Sequence, residues 1–300
     1  MLISILSLKG SPGVTTLAVA LAARWPAPAR PLVVEADPSG GDLGLRVSLS
    51  STPGLVSLAA AARRGGDADL VWRHTQHLPG GLPVVSAPPD ADQARAALAA
   101  LAPDPTGGLG VLRAAADRPG VVVIVDCGRV DPGSPALPIV RACDAVVLLS
   151  RARADDLAHL PRRLPTIARW SPNPVLLLVG EGYSTAEVAR ELGVPPLGRV
   201  PDDPNGAAVL CGRPNTLRWG RSGPSHSALG RCAHRVATEL ATREHPPAGR
   251  PQPRPAEPMP QVPILRAVPG VPPGAVSSND VRVAPGQATD PRDQQGGQAS

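Results

Sequence analysis

Short apolar segments alternate with segments rich in Ala, Leu and Arg over the first 240 or so residues. β-branched and aliphatic runs predict strands at residues 2–8, 31–35, 82–86, 120–126, 145–149, 174–179 and 197–200. A helical period of apolar residues predicts helices at residues 14–25, 54–64, 90–102, 135–142, 153–168 and 184–192. Several strands are apolar at every position, which is typical of strands covered on both faces. The pattern therefore predicts an α/β fold with three layers, in which helices cover a mostly parallel central sheet.

A last helix is predicted at about residues 225–243, and its apolar positions share one face: Ala228, Leu229, Cys232, Val236 and Leu240. The composition changes after this helix, because 13 of the 39 prolines lie in residues 245–300. A segment so rich in proline, without apolar periodicity, cannot bury enough surface to offset its ordering entropy. We therefore expect one domain over residues 1–244 and a disordered Pro/Gly-rich tail over residues 245–300. An apolar stretch at 261–269 is either a chance cluster or a short docking motif.

Composition narrows the functional class. The aromatic residues are four Trp and Tyr183, with no Phe, which argues against a platform that stacks single-stranded nucleic acid. The net charge of +5 permits weak contact with DNA or an anionic membrane and requires neither. The four cysteines are far apart and form no CxxC pair, as expected of reduced thiols. The first apolar run is too short for a signal peptide, and no later run reaches the ~20 residues that span a bilayer. We expect a soluble, cytoplasmic protein.

Candidate phosphate-binding chemistry lies in the loop after the first predicted strand, which reads Lys9-Gly10-Ser11-Pro12-Gly13-Val14-Thr15-Thr16. Successive backbone amides and the start of a helix can point at one anion in such a loop. Glycines let the backbone approach a phosphate, and a threonine at the helix start can ligate Mg²⁺. Lys9 is also the only lysine of the chain. The alternative is a turn that has this composition by chance.

This loop resembles that of the ParA/MinD group of deviant Walker A ATPases, which reads KGGxGK[ST][ST]. The matching positions are Lys9, Gly10, Gly13, Thr15 and Thr16. Ser11 replaces a glycine, and Val14 replaces the second lysine. The resemblance implies a P-loop NTPase fold in which residues 9–11 and 13–16 bind ATP with Mg²⁺. It also implies a nucleotide-linked homodimer in which Lys9 reaches the phosphates of the partner subunit and takes part in catalysis.

Two acidic segments follow in the order that the family shows. The stretch 33–46, VVEADPSGGDLGLR, resembles an element whose second carboxylate, here Asp37, orients the attacking water. Glu35 stands where the first carboxylate of that element usually lies, and its role stays open; an acidic residue at a strand end can also cap a loop. The stretch 120–128, GVVVIVDCG, resembles a Walker B strand and implies that Asp126 holds Mg²⁺ with Thr15. Asp144, which opens the next strand, is interpreted as structural.

A late segment, residues 197–214, resembles the family's adenine loop followed by a short helix. The resemblance places Pro201, Asp202 and Asp203 along the base. The preceding strand runs into VGEGYS at 179–184, without the asparagine that usually reads the base. The specificity for a purine is therefore left open.

The missing loop lysine weakens the expected reaction. Losing one charge-assisted hydrogen bond costs roughly 1.5–3 kcal/mol of binding, or about one to two decades of affinity. The same charge would also stabilise the phosphoryl group in the transition state. We therefore expect that nucleotide binds while hydrolysis is slow or absent.

The resemblance indicates a role in intracellular positioning, such as chromosome partitioning or septum-site placement. The alternative is a non-catalytic scaffold that localises a pilus or secretion apparatus; either role needs a protein partner that the sequence does not identify. Arginines 213, 218, 221, 231, 235 and 243 form either a non-specific DNA surface or a solvated helix face. His74 and His77 form either a metal site or an exposed loop. Prolines in the tail leave no amphipathic helix for a direct membrane anchor.

Overall fold

An eight-stranded sheet forms the centre of the protein. The structure is a computed structural model, and it describes residues 1–101, 108–210 and 224–243. The strands run in the order β3-β4-β2-β5-β1-β6-β7-β8, and neighbouring strands are parallel except β3 and β4. Their bounds are β1 Leu2–Ser7, β2 Arg30–Glu35, β3 Gln76–His77, β4 Pro83–Val85, β5 Val121–Arg129, β6 Ala145–Arg151, β7 Asn173–Val179 and β8 Gly198–Val200.

Helices cover both faces of this sheet. Their bounds are α1 Val14–Ala23, α2 Leu43–Val47, α3 Leu55–Ala62, α4 Asp69–Arg73, α5 Ala91–Leu101, α6 Gly108–Ala116, α7 Leu137–Arg141, α8 Ala154–Leu157, α9 Leu164–Ile167, α10 Thr185–Leu192, α11 Pro204–Leu210 and α12 Ala228–Thr242. Helices α1, α11 and α12 pack together on one face, while α3, α4, α5 and α6 pack on the other. The predicted three-layer α/β architecture with a mostly parallel sheet is confirmed.

The alternation of side chains along the central strands decides which residues reach which layer. In β5, Val121, Val123 and Val125 belong to the core on the α5–α6 side. Val122 and Ile124 belong to the core on the α1 side, so the next residue of that parity, Asp126, faces α1 as well. The carboxyl end of β5 thus presents Asp126 to the loop that precedes α1.

The main elements agree with the sequence prediction, and the differences have simple causes. The single helix predicted at 153–168 is wrong, because α8 and α9 are separate four-residue helices. Pro161 lies between them, and a proline interrupts a helix because it has no amide hydrogen and clashes with the preceding turn. The unpredicted helices α2 and α4 have five residues each, which is too short for a period to show, and α6, of nine residues, was not predicted either. The tail prediction for 245–300 and arginines 213, 218 and 221 lie outside the described residues.

Asp144 has the structural role that the sequence indicated, at the amino end of the sheet. Its carboxylate accepts hydrogen bonds from the Leu2 amide at 2.7 Å and from Arg113 Nη1 at 2.7 Å. Burial alone would raise the pKa of Asp144, but the Arg113 guanidinium and the amide outweigh it and lower the pKa. This ion pair fixes the start of β1 and lies far from the carboxyl ends of the strands.

Three of the cysteines, Cys127, Cys143 and Cys232, are free and buried. Among the described residues, no helix is long and apolar enough to cross a membrane.

Candidate functional site

The loop between β1 and α1 has the backbone of an anion cradle. Gly10 and Gly13 lie in the left-handed region, with φ of 66° and 94°, where a side chain would be strained. Helix α1 begins at Val14, directly after Gly13, and no side chain caps its first turn. The first amides of a helix have no partner within the helix, and they attract anions. The start of α1 is therefore available to a phosphate group.

Two clefts open on the two sides of this loop and share Ser11, Gly13 and Thr16. The first, of about 560 Å³, is called the acidic cleft here, and its lining includes Thr15, Asp37 and Arg129. The second, of about 550 Å³, is called the β8 cleft, and its lining includes Pro201 and Asp202. Both volumes suit a small-molecule site. The loop thus separates a carboxylate-lined chamber from one bounded by the end of β8.

Asp126 lies beneath the acidic cleft and is fully buried. Its Oδ1 accepts a hydrogen bond from the Gly128 amide at 3.0 Å, whereas Oδ2 has no hydrogen-bond partner among the described residues. Burial and the nearby charges of Glu35 and Asp37 raise the pKa of Asp126 to about 7, although the neighbouring Thr15 hydroxyl opposes the rise. A carboxylate oxygen without a partner beside a threonine hydroxyl fits Mg²⁺, a hard cation that prefers oxygen ligands.

Asp37 lies at the wall of the same cleft. Its Oδ1 accepts a hydrogen bond from the Ser39 amide at 2.8 Å, and burial raises its pKa. The carboxylate packs directly against Gly128, where an added Cβ would come within 1.9 Å of Asp37 Oδ2. Gly128 also has a left-handed φ of 56°. A glycine is therefore required at this position both for its conformation and for the close approach of Asp37.

Glu35 serves the backbone rather than the cleft. Its buried carboxylate accepts hydrogen bonds from the amides of Asp42 at 2.7 Å, Leu43 at 3.0 Å and Ala87 at 3.0 Å. Burial raises its pKa, and these amides partly oppose that effect. The hydrogen bonds hold the segment after β2 and the start of α2 against the end of β4. Of the two roles open to Glu35, the structure favours the loop cap.

The amine of Lys9 lies outside both clefts, and the side chain of Val14, which replaces the second lysine, is packed in the core. Lys9 is exposed, with Nζ 3.0 Å from the Asp155 carbonyl oxygen and 3.3 Å from His159 Nε2. It is not among the residues that line either cleft. Val14 is 5% exposed and belongs to the core on the α1 side. A valine in this place adds apolar packing but no charge.

The β8 cleft brings together part of the predicted adenine loop. Pro201 and Asp202 line it, next to Glu181 and two arginines, Arg151 and Arg153. Asp203 lines the same cleft, but its carboxylate accepts hydrogen bonds from the amides of Gly206 at 2.8 Å and Leu229 at 3.0 Å.

Asp203 therefore caps α11 and ties it to the start of α12. Burial alone would raise the pKa of Asp203, but the amides of Leu229 and Gly206 outweigh it and lower the pKa.

The sequence interpretation missed the arginines of the two clefts. Arg129 and Arg151 are the last residues of β5 and β6, and Arg153 lies two residues after the end of β6. A ligand in an open parallel sheet binds at the carboxyl ends of the strands. That rule, applied to the arginine at each strand end, could have singled them out.

His74 lies away from both clefts, with Nδ1 2.7 Å from Ser57 Oγ between α3 and α4.

Comparison of the fold with solved structures gives consistent matches. A ParA family ATPase from Chlorobium tepidum TLS matches with a TM-score of 0.63 at 17% identity, over 80% of this chain and 98% of that one. MinD from Pyrococcus horikoshii OT3, complexed with Mg-ADP, gives 0.58 at 17% identity, over 80% and 96%. The chain has the ParA/MinD fold.

A third structure with the ParA/MinD fold, the McdA–ATP complex of Cyanothece, matches with a TM-score of 0.56 at 16% identity, over 81% of this chain and 97% of that one. Neither a protein-family model nor a curated protein sequence matches this chain. The likeness therefore concerns the fold, and the chemistry of the site has to be argued from its own residues.

Proposed function

We propose that this protein binds ATP with Mg²⁺ and acts in the cytoplasm as a ParA/MinD-type positioning protein, in chromosome partitioning or septum-site placement. The observation that carries the nucleotide part is the buried Asp126 Oδ2, which has no hydrogen-bond partner among the described residues and lies beside Thr15 at the uncapped start of α1. The positioning role is supported by the fold, which the chain shares with ParA, MinD and McdA structures.

Each part of the cradle has a proposed task. The amides of residues 10–16 surround the phosphates, and the dipole of α1 favours their negative charge. Thr15 and Asp126 hold Mg²⁺, which supplies charge neutralisation at the phosphates when it is bound. Asp37 is placed to orient a water molecule in the acidic cleft. Pro201 and Asp202 lie along the nucleoside in the β8 cleft.

Lys9 is proposed to contact the phosphates of a second subunit in a nucleotide-linked homodimer. Its present contacts, to one carbonyl oxygen and one imidazole, are exposed and therefore weak enough to exchange. The amine is on a four-carbon stem at the edge of the loop and is free to turn outward. With Mg-ATP, wild type should dimerise and the Lys9→Ala variant should stay monomeric. Light scattering measures the molar mass of both.

Hydrolysis is proposed to be slow or lost because Val14 brings no positive charge to the transferring phosphoryl group. The test compares steady-state phosphate release from Mg-ATP by wild type and by Asp37→Ala. Wild-type turnover well above that of the variant would refute the proposed loss of activity.

A second candidate function is a non-catalytic scaffold that localises a pilus or secretion apparatus through a protein partner. The observation that favours it is Val14, which is part of the apolar core and replaces the lysine expected from the family's loop. Calorimetry of the full chain with Mg-ATP and Mg-ADP separates the two. If neither nucleotide binds at millimolar concentration, the proposed nucleotide binding is wrong and the scaffold role is favoured.

Non-specific DNA contact is a further part of the positioning proposal. Arg231 and Arg235 are exposed on α12, and Arg243 pairs with Glu239 at 3.7 Å at the end of that helix. Arginines that neutralise phosphates make binding fall steeply with salt. Binding of a random duplex that weakens between 50 and 200 mM salt, and weakens again in Arg231→Ala, would support it.

A further inference from the structure

We propose that Arg129 binds the terminal phosphate of the nucleotide and supplies the positive charge that Val14 cannot. This inference rests on the proposed nucleotide binding and adds a residue to that same site. It arises from the position of Arg129 at the wall of the acidic cleft, opposite the start of α1.

The backbone brings Arg129 next to the phosphate loop. Residues Ser7 and Arg129 are paired in the register of β1 and β5, and the Val130 amide donates to the Ser7 carbonyl at 2.9 Å. Ser7 is the last residue of β1, two positions before Lys9. Arg129 is therefore anchored at the point where the chain leaves the sheet to form the cradle.

Gly128 positions the arginine side chain. Gly128 has a left-handed conformation, and its amide donates a hydrogen bond to Oδ1 of Asp126, two residues before it. Fixed at this turn, Arg129 lines the acidic cleft together with Asp37 and Thr15. Arg129 thus lies on the cleft that contains Asp37 and Thr15, and not on the β8 cleft.

The charges of the acidic cleft leave Arg129 available to a ligand. Arg46, the other arginine of that lining, forms an ion pair with Asp42 at 2.6 Å. The side chain of Arg129 is exposed, and its guanidinium makes no hydrogen bond or ion pair with any residue that the structure describes. Its charge acts on Asp37, whose pKa it lowers against the larger effect of burial. A cation of this kind beside an anion cradle fits a phosphate group.

The direction of approach determines which phosphate is contacted. A lysine at the first position of α1 would reach the phosphates from the loop itself, whereas Arg129 approaches from the end of β5, on the side of Asp37. Asp37 is the residue proposed to orient the attacking water, so this side faces the terminal phosphate. Arginine also offers two parallel N–H donors to phosphate oxygens, which a lysine does not. We therefore expect Arg129 to distinguish the triphosphate from the diphosphate.

The test is calorimetry of the full chain with Mg-ATP and, separately, Mg-ADP. The experiment compares wild type with Arg129→Ala and Arg129→Lys. Arg141→Ala is the matched control, because Arg141 is an exposed arginine at the end of α7 that lines neither cleft. Arg129→Ala should weaken Mg-ATP binding by about tenfold to a hundredfold, the loss of one charge-assisted hydrogen-bonding partner. Mg-ADP binding should stay nearly unchanged, Arg129→Lys should recover part of the affinity, and Arg141→Ala should match wild type.

The possible outcomes separate the two proposals. If wild type binds Mg-ATP and Arg129→Ala binds it equally well, the role of Arg129 is overturned while nucleotide binding stands. Equal weakening of Mg-ATP and Mg-ADP overturns the contact with the terminal phosphate. If wild type binds neither nucleotide, both proposals fail. Far-ultraviolet circular dichroism of each variant confirms that a loss of binding is not a loss of fold.

Discussion

Replacing Asp126 with Asn should stabilise the metal-free protein, and the gain should grow with pH. The folded protein buries this carboxyl completely and surrounds it with Glu35 and Asp37, so ionisation is unfavourable there. An amide of the same shape stays neutral at every pH. Its oxygen can still accept the hydrogen bond from the Gly128 amide that Asp126 Oδ1 accepts now.

The size of the effect follows from the raised pKa. Asp126 has a pKa of about 7 in the folded protein, against an ordinary value of 3.8 for the unfolded chain. Because the folded value is the higher one, the unfolded state releases its proton first, and folding stability falls as pH rises from about 4 to about 7. At about 1.4 kcal/mol for each pH unit, the full penalty above pH 7 is on the order of 4 kcal/mol. About 3 kcal/mol of it develops between pH 5 and pH 8.

The assay is urea denaturation in EDTA at pH 5 and pH 8. The free energy of unfolding of Asp126→Asn minus that of wild type should be larger at pH 8 by about 3 kcal/mol. The control is Asp92→Asn in the exposed first turn of α5, for which both differences should stay within about 0.5 kcal/mol. If the difference for Asp126→Asn is the same at both pH values, the pKa of Asp126 is not raised in the folded protein. A carboxyl group that ionises as easily in the folded state as in the unfolded state gives no pH dependence of stability.

Three further substitutions test the packing around the site. Glu35→Ala should lower the free energy of unfolding by at least about 3 kcal/mol, because three amides, two of them buried, lose their acceptor. Glu35→Gln should lower it less, and urea denaturation measures both. Gly128→Ala should lower the free energy of unfolding clearly more than Gly180→Ala, for which a loss of about 1 kcal/mol is expected. Both glycines have a left-handed φ, but only Gly128 has Asp37 packed against it. Equal losses in thermal unfolding would contradict a role for this close packing. Asp203→Ala should destabilise by about 1–2 kcal/mol through the lost cap of α11, and faster hydrogen exchange at the Gly206 and Leu229 amides should accompany it.

Long or strongly apolar elements were predictable from the sequence. The seven predicted strands all occur, because continuous aliphatic runs such as that of β5 are typical of buried parallel strands. Helix α6, of nine residues, was missed as well. The other missed elements are shorter: strand β3 has two residues, and helices α2 and α4 have five each. Such short elements form through tertiary contacts, such as the hydrogen bonds from the start of α2 to Glu35, and leave no period in the sequence.

The candidate site was predictable in part. The resemblance to the ParA/MinD group implied that Thr15 and Asp126 lie together, and the structure brings them to one edge of the sheet, where a loop after one parallel strand meets the end of its neighbour. It could not decide between the two roles of Glu35, because that depends on the return of the Ala87 amide from β4, a contact 52 residues away. It also could not show that the amine of Lys9 rests on the segment around Asp155, which is distant along the chain.

The position of Lys9 has a practical consequence for labelling. The chain contains one lysine, and its amine is exposed at the edge of the phosphate loop. The α-amine of Met1 is instead engaged by the carbonyl oxygens of Ala116 and Val121. An amine-reactive fluorophore therefore has a single exposed side-chain target, without any engineered cysteine. Acylation also removes the positive charge of this amine, so labelling offers a way to block the proposed contact of Lys9 with a second subunit without any substitution.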